Sequence, residues 1–262
     1  MGYETIDFRV SNGIGTLSLN RPKNLNALNA QLFEELIDLL HDVKQDKAIR
    51  VVVLRGEGRA FCAGGDVKEM VDGSKRTAPE LLAHLKLVNK ATADLINLPI
   101  PVIGMIKGIA TGAGVSLTLA TDIAYAAENT NFSEIFGQVG LCPDMASSYL
   151  LPRVVGRAKA KELVFTYKTI DAQEAYRIGL IQKVLPEDQL EKEVYELAAK
   201  LAQGPTHAYA FGKKMINQSF ETDLDTALDY EAAYQVLSHL TADHQEGIIA
   251  FQEKRKPVFQ GK

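Results

Sequence analysis

The stretch from Pro101 to Asp144 constrains this chain most. An apolar run (Val102, Ile103, Met105, Ile106) leads into a small-residue turn, Gly108-Ile109-Ala110-Thr111-Gly112-Ala113-Gly114. A further apolar segment follows, and then Gly140-Leu141-Cys142-Pro143-Asp144. A strand that passes through glycine into a helix aims several main-chain N–H groups at one spot, and such a spot holds negative charge. A carboxylate in an apolar loop further along is a candidate for proton chemistry.

The flanking chain predicts an α/β architecture. Residues 3–10 and 14–19 read as two strands around the turn Ser11-Asn12-Gly13. Asn29 is placed to cap a helix through about Asp46, with Leu32, Leu36, Leu39, Leu40 and Val43 on one face. Val51 to Leu54 is a short, fully apolar strand, and strand–helix–strand order implies a parallel pair inside a buried sheet. A small-residue loop runs from Gly56 to Asp66, and a polar, mobile segment is expected over 72–79. Helices are expected over 79–97, 113–120, 145–151 and 157–166, with strands over 102–106, 122–126 and 180–185. Asp171 is placed to cap a short helix ending at Gly179. From Glu187 the chain reads as helix after helix, broken at Gly204-Pro205. The expected organisation is a core over residues 1–195 and a C-terminal helical region over 196–262. Helices unable to cover their own apolar faces often pack on a neighbouring subunit.

Composition excludes several classes. Net charge is −4 at pH 7, which argues against a general nucleic-acid binder. The two cysteines, Cys62 and Cys142, give neither a zinc spacing nor a disulfide framework and suit a reducing compartment. No apolar run reaches membrane-span length, and no secretory signal pattern opens the sequence. The expectation is a cytoplasmic protein that binds no metal, membrane or nucleic acid.

Gly108, Gly112 and Gly114 do not match a dinucleotide fingerprint, and no P-loop pattern is present. Two uses remain for the turn: close packing of a helix on the sheet, or a main-chain oxyanion site. An oxyanion hole usually needs two donors, so the second small-residue loop, Ala63-Gly64-Gly65-Asp66, matters. Gly65 and Ala113 are candidates to supply one N–H each; the plainer alternative is a turn with Asp66 as a helix cap. Asp144 is either the N-cap of the next helix or a general base. The two roles pull its pKa in opposite directions, since apolar surroundings raise it and capping lowers it. Ser116 does not complete a nucleophile elbow, because Thr118 stands where glycine is needed. Glu134 is the other carboxylate of the region and a minor candidate. Lys254-Arg255-Lys256 complements a helix end or meets a phosphate.

In order and spacing, these stretches resemble the enoyl-CoA hydratase/isomerase (crotonase) family over essentially the whole chain. The matching segments include Asn20 to Leu28, Ala60 to Lys68, Pro101 to Gly114, Asp122-Ile123-Ala124, Leu151 to Gly156, Ala172 to Ala175 and Gly179-Leu180-Ile181. The resemblance implies a spiral of ββα units with a C-terminal helical region, a homotrimer or hexamer, and an acyl-CoA substrate. Coenzyme A enters as part of that substrate, with no separate cofactor. It implies a thioester oxygen between the N–H groups of Gly65 and Ala113. Lys23, Leu25, Ala63, Asp66 and Val67 would lie along the CoA, with Phe251 and Lys254 near its nucleotide end, from the same or a neighbouring subunit. Gly64, Gly112, Ser116, Phe136, Leu141 and Pro143 would complete the substrate site.

One departure bears on the reaction. Hydratases of the family carry two glutamates where this chain has Ser116 and Phe136. Hydration needs one group to activate water and another to deliver a proton. Family isomerases instead carry a carboxylate at the position of Asp144. The family's dehalogenases also need a histidine in the helix before the glycine turn, where this chain has Asn89. The resemblance therefore implies an acyl-CoA isomerase that shifts a double bond or rearranges a ring epoxide, with Asp144 moving the proton. The alternatives are a hydratase that pairs Asp144 with Glu134, and a non-catalytic acyl-CoA-binding partner of a related hydratase.

Overall fold

The computed structural model describes residues 2–73 and 75–262. β1 (Ile6–Ser11) and β2 (Ile14–Leu19) form the expected antiparallel hairpin. Asn12 and Gly13 both take positive φ, 52° and 80°, as a two-residue hairpin turn requires. α1 (Ala30–Gln45) starts where its cap predicts: Asn29 Oδ1 accepts from the Leu32 N–H at 3.1 Å. Its stripe of Leu32, Phe33, Leu36, Leu39, Leu40 and Val43 is buried. β3 (Val51–Gly56) lies parallel to β2.

In the next segment, α2 (Val67–Gly73) and α3 (Ala78–Ile96) take in both ends of 72–79, expected as a polar, mobile segment, and a non-helical stretch lies between them at 75–77. The Glu80 carboxylate accepts from both the N–H and the hydroxyl of Thr77, each at 2.7 Å, which fixes the start of α3. Residue 74 of that segment lies outside the described residues.

β4 (Val102–Ile106), β5 (Ile109–Thr111) and α4 (Ala113–Leu119) form one ββα unit. β6 (Ile123–Ala127) and β7 (Asn131–Ser133) open the next, followed by α5 (Ser147–Val155) and α6 (Arg157–Thr166). Then come β8 (Ile170–Asp171), α7 (Ala172–Arg177) and β9 (Lys183–Leu185). In both units the first strand joins a six-stranded sheet, order β1-β2-β3-β4-β6-β9, and the second joins a three-stranded sheet, order β5-β7-β8. Alternating between two sheets in this way generates the expected spiral of ββα units. From β2 to β9 every pairing in the large sheet is parallel.

Both faces of that sheet are covered. Val52, Leu54, Val102 and Ile106 face the main core with α1 and α3, whereas Val51, Val53, Ile103 and Met105 pack with Leu190, Val194 and Ala198. The last three lie on α8 (Glu187–Ala202). Two covered faces explain why β3 and β4 read as unbroken apolar runs instead of alternating ones. α8 also runs without a break across the expected division at 195/196; the chain turns only at Gly204-Pro205.

α9 (Thr206–Gln218), α10 (Leu224–His239) and α11 (Ala242–Gln252) complete the chain. Lys213 ties α9 to the core, donating to Asp122 Oδ2 at 2.8 Å and to the Ile100 carbonyl at 3.2 Å. Asp243 is buried and accepts from the N–H groups of Gln260 and Gly261, which pins the C-terminal tail. The helical layer leaves Phe220, Leu224, Leu240 and Phe251 strongly exposed. Among the described residues, no helix is long and apolar enough to cross a membrane.

Candidate active site

The two small-residue loops lie side by side because their backbones pair. Phe61 N–H donates to the Lys107 carbonyl at 2.8 Å, Cys62 N–H to Ile109 at 3.0 Å, and Thr111 N–H back to Cys62 at 3.0 Å. This ladder carries each chain on to its glycines. A Cβ on Gly64 would come within 3.8 Å of the Ala113 nitrogen, so the ends of the two loops meet. The N–H groups of Gly65 and Ala113 donate to no acceptor among the described residues. Ala113 opens α4, where a first-turn N–H has no partner within the helix. Two unspent donors on adjoining loops can hold an oxygen that carries negative charge.

Close packing is present as well, at a different glycine. A Cβ on Gly114 would lie 2.3 Å from the Cys62 carbonyl oxygen, so no larger residue fits there. The packing and oxyanion readings of the turn are therefore compatible. Cys62 itself is fully buried, and burial pushes its thiol up to about 12. It is a packing residue, unsuited to act as a nucleophile.

A third loop is zipped to the same place. Ala63 N–H donates to the Leu25 carbonyl at 3.0 Å, and Leu28 N–H to the Gly64 carbonyl at 2.8 Å. Asn26 is wholly buried and donates to the Glu57 and Ala60 carbonyls. Lys23, Leu25, Ala63 and Val67 are thereby gathered along one edge, with Lys23 and Val67 exposed. Asp66 is mostly committed to the fold. Its carboxylate pairs with Arg21 at 2.7 Å and accepts from the Lys68 N–H at 3.0 Å at the start of α2. Burial pushes its pKa up, but the Arg21 and Lys68 hydrogen bonds outweigh that and hold it below the usual aspartate value.

Asp144 does not cap the helix that follows. Met145 and Ala146 take left-handed φ of 48° and 63°, and α5 starts only at Ser147, with no side-chain cap. This turn also displaces the helix expected over 145–151, which runs on through Pro152 to Val155. The Asp144 carboxyl is partly buried and its Oδ1 is buried without a hydrogen-bond partner. Burial raises its pKa above the usual aspartate value, the direction a general base needs. Ser116 is fully buried on α4 and donates its hydroxyl to the Asp144 carbonyl at 3.2 Å. Phe136 is nearly buried, with its ring 3.9 Å from where a Cβ on Gly112 would stand. The Leu141 N–H donates to the Phe136 carbonyl at 3.0 Å, which closes the loop that delivers Pro143 and Asp144. Asp144 is thus brought to the α4 side of the glycine turn by contacts of Ser116 and Phe136.

Sequence and fold comparisons identify the family. Residues 9–262 match the family described as Enoyl-CoA hydratase/isomerase. The chain belongs to that family. It is 39% identical over 260 residues to the 1,2-epoxyphenylacetyl-CoA isomerase of Escherichia coli (strain K12), covering 99% of each chain. It is 36% identical over 255 residues to the mitochondrial methylglutaconyl-CoA hydratase of Mus musculus, covering 95% of this chain and 80% of that one. Its fold superposes on the crystal structure of the enoyl-CoA hydratase/isomerase from Cupriavidus metallidurans CH34 with a TM-score of 0.94 at 35% identity, covering 100% of this chain and 98% of that one.

As an enzyme of the hydratase/isomerase family, the chain has relatives named for either reaction, so its own site residues bear on the choice. Phe251 lies in the last turn of α11 and Lys254 just beyond it, in the C-terminal helical layer. Phe251 is 86% exposed at the end of α11, beside a cleft of about 610 Å³ lined by His207, Ser238, His244 and Phe259. Among the described residues no cluster of three or more His, Cys, Asp or Glu side chains could hold a metal ion. Sequence reasoning undervalued Glu134. It follows β7 directly, is 2% exposed, and accepts from the Ser147 hydroxyl at 2.7 Å. Burial first, and then the nearby charge of Asp144, push it up to about 7 against the lowering effect of Ser147. Its place in Phe132-Ser133-Glu134-Ile135-Phe136, between buried aromatic residues, was the available signal.

Proposed function

We propose that the protein is a cytoplasmic acyl-CoA isomerase that works through a thioester enolate. The observation that carries this reading is the Asp144 carboxyl: partly buried, free of a capping role and with an unpartnered oxygen. In this reading the thioester oxygen accepts from the Gly65 and Ala113 N–H groups. Asp144 removes a proton from one carbon of a 3-enoyl-CoA, the electron pair moves onto the thioester oxygen, and Asp144 returns the proton at the conjugated end. The double bond shifts with no net gain or loss of atoms. The same enolate stabilisation would serve opening of a ring epoxide next to an acyl-CoA. One oxyanion donor is typically worth about 2.7–4 kcal/mol, so the two N–H groups would supply a large share of the rate.

CoA lies along Lys23, Leu25, Ala63 and Val67 in this reading, and two unpaired thiols, Cys62 and Cys142, suit a reducing compartment. The exposed apolar residues of α9 to α11 fit packing against further copies of the chain, as a trimer or hexamer. Hydration is the weaker reading. Its second carboxylate would have to be Glu134, which at 2% exposure lies out of reach of a substrate water.

Asp144→Asn tests the proposal. It should lower turnover of trans-3-enoyl-CoA and of the ring-epoxide acyl-CoA by about 10²-fold or more. Full turnover of both by the variant, or wild-type hydration of crotonyl-CoA outpacing isomerisation, would overturn it.

A further inference from the structure

Asp144 is carried on a turn that does not hold its shape unaided. Met145 and Ala146 are consecutive residues in the left-handed region, which L side chains occupy only under constraint. The constraint comes from both ends. Ser147 N–H donates to the Asp144 carbonyl at 2.9 Å, closing the turn, and Ser147 Oγ donates to Glu134 Oε1 at 2.7 Å, anchoring it. Glu134 in turn directly follows Ser133, whose carbonyl accepts the Gly112 N–H at 2.8 Å. One buried carboxyl therefore joins the segment that carries Asp144 to the segment beside the glycine turn. Each acid also has one buried oxygen without a partner, Oε2 on Glu134 and Oδ1 on Asp144.

We infer that Glu134 is a positioning residue for Asp144, holding through Ser147 the strained turn that sets the Asp144 carboxyl in place. This rests on the acid/base role proposed for Asp144. A second coupling adds to the first. Asp144 is the charged group that acts on Glu134, and Glu134, pushed up to about 7 chiefly by burial, is largely protonated below that pH. A neutral Glu134 places no like charge beside the Asp144 carboxyl, whereas an ionised one does.

The test compares Glu134→Ala, Ser147→Ala, the double variant and Glu134→Gln, with folding followed by circular dichroism. On trans-3-enoyl-CoA, each alanine variant should lose about tenfold in kcat with KM nearly unchanged, since misplacing a reacting group costs rate more than binding. The double variant should be no worse than either single one, because both remove the same link. Glu134→Gln keeps an oxygen for Ser147 to donate to. It should restore kcat to within a few-fold of wild type, while abolishing the inflection near pH 7 in the wild-type profile. Alanine variants that fold and keep wild-type kcat, or losses that multiply in the double variant, would overturn the inference. If the alanine variants do not fold, Glu134→Gln decides: an unchanged pH profile means Glu134 is structural only. If the wild type does not isomerise the substrate, the proposed function fails, and positioning is then read from ¹³C-carboxyl NMR titration of the resting protein. The Asp144 signal should titrate at a different pH in Glu134→Gln; an unmoved titration refutes the coupling.

Discussion

Ser116 donates its hydroxyl to the main-chain carbonyl of Asp144 at 3.2 Å. The two residues belong to α4 and to the loop before α5, so this bond joins the helix below the glycine turn to the candidate base. Ser116 is fully buried, and the bond as a whole is part-buried. Ser116→Ala fits the same space and removes only that donor. It should cost about 1 kcal/mol of stability, as loss of one neutral hydrogen bond does. It should also lower kcat about threefold to tenfold with KM close to wild type, because a loosened carbonyl lets the Asp144 carboxyl drift. Steady-state kinetics beside a urea titration checks both. A KM effect without a kcat effect would place Ser116 in substrate binding instead.

The meeting of the two loops depends on the absence of a side chain at Gly114. A Cβ there would sit 2.3 Å from the Cys62 carbonyl oxygen, a backbone atom that cannot swing away. Gly140 is a useful contrast: its φ is +73°, and nothing lies within 4 Å of a Cβ added to it. Gly140→Ala should therefore cost only the left-handed conformation, about 1 kcal/mol. Gly114→Ala must move the Phe61–Cys62 ladder, and should cost about 2–3 kcal/mol and most of the activity. Denaturant melts of the two variants with parallel activity assays give the comparison.

What could be read in the sequence was whatever local chemistry decides. Asn29 announces α1, and Asp171 caps α7 through the N–H of Glu174. The unbroken apolar runs of β3 and β4 announce a sheet buried on both faces. β5 and β7 were not legible. Each is three residues long, and Ile109 to Thr111 becomes a strand only because Asn131 to Ser133 lies beside it. Ile109 to Thr111 therefore reads as part of a turn. Gly65 and Ala113 stand out as oxyanion candidates from the two small-residue loops, but spacing alone leaves packing and oxyanion uses open and only the family motifs favour the second. Asp144 was ambiguous because its pKa direction hinges on where α5 starts, which is set by the backbone of Met145 and Ala146. Glu134 was weighed lightly because its hydrogen-bond partner, Ser147, lies on a distant segment, and only the flanking Phe132 and Phe136 hint at its burial.

Glu134 should also leave a mark on stability, with a definite sign. A carboxyl ordinarily near 4.5 that rises to about 7 on folding binds more protons in the folded state than in the unfolded state between those values. Stability then falls as pH rises through that window, and stays at the lower level above it. The full effect would be about 3 kcal/mol, since each pKa unit corresponds to about 1.4 kcal/mol. Glu134→Gln removes the ionisation and keeps the acceptor for Ser147. The amide it introduces adds an offset that does not vary with pH, so the slope is the quantity to read. Thermal or urea melts from pH 4.5 to pH 8 should show the variant gaining on the wild type steadily across the window and no further above it. Parallel curves for the two proteins would mean that Glu134 ionises on folding as it does in solvent.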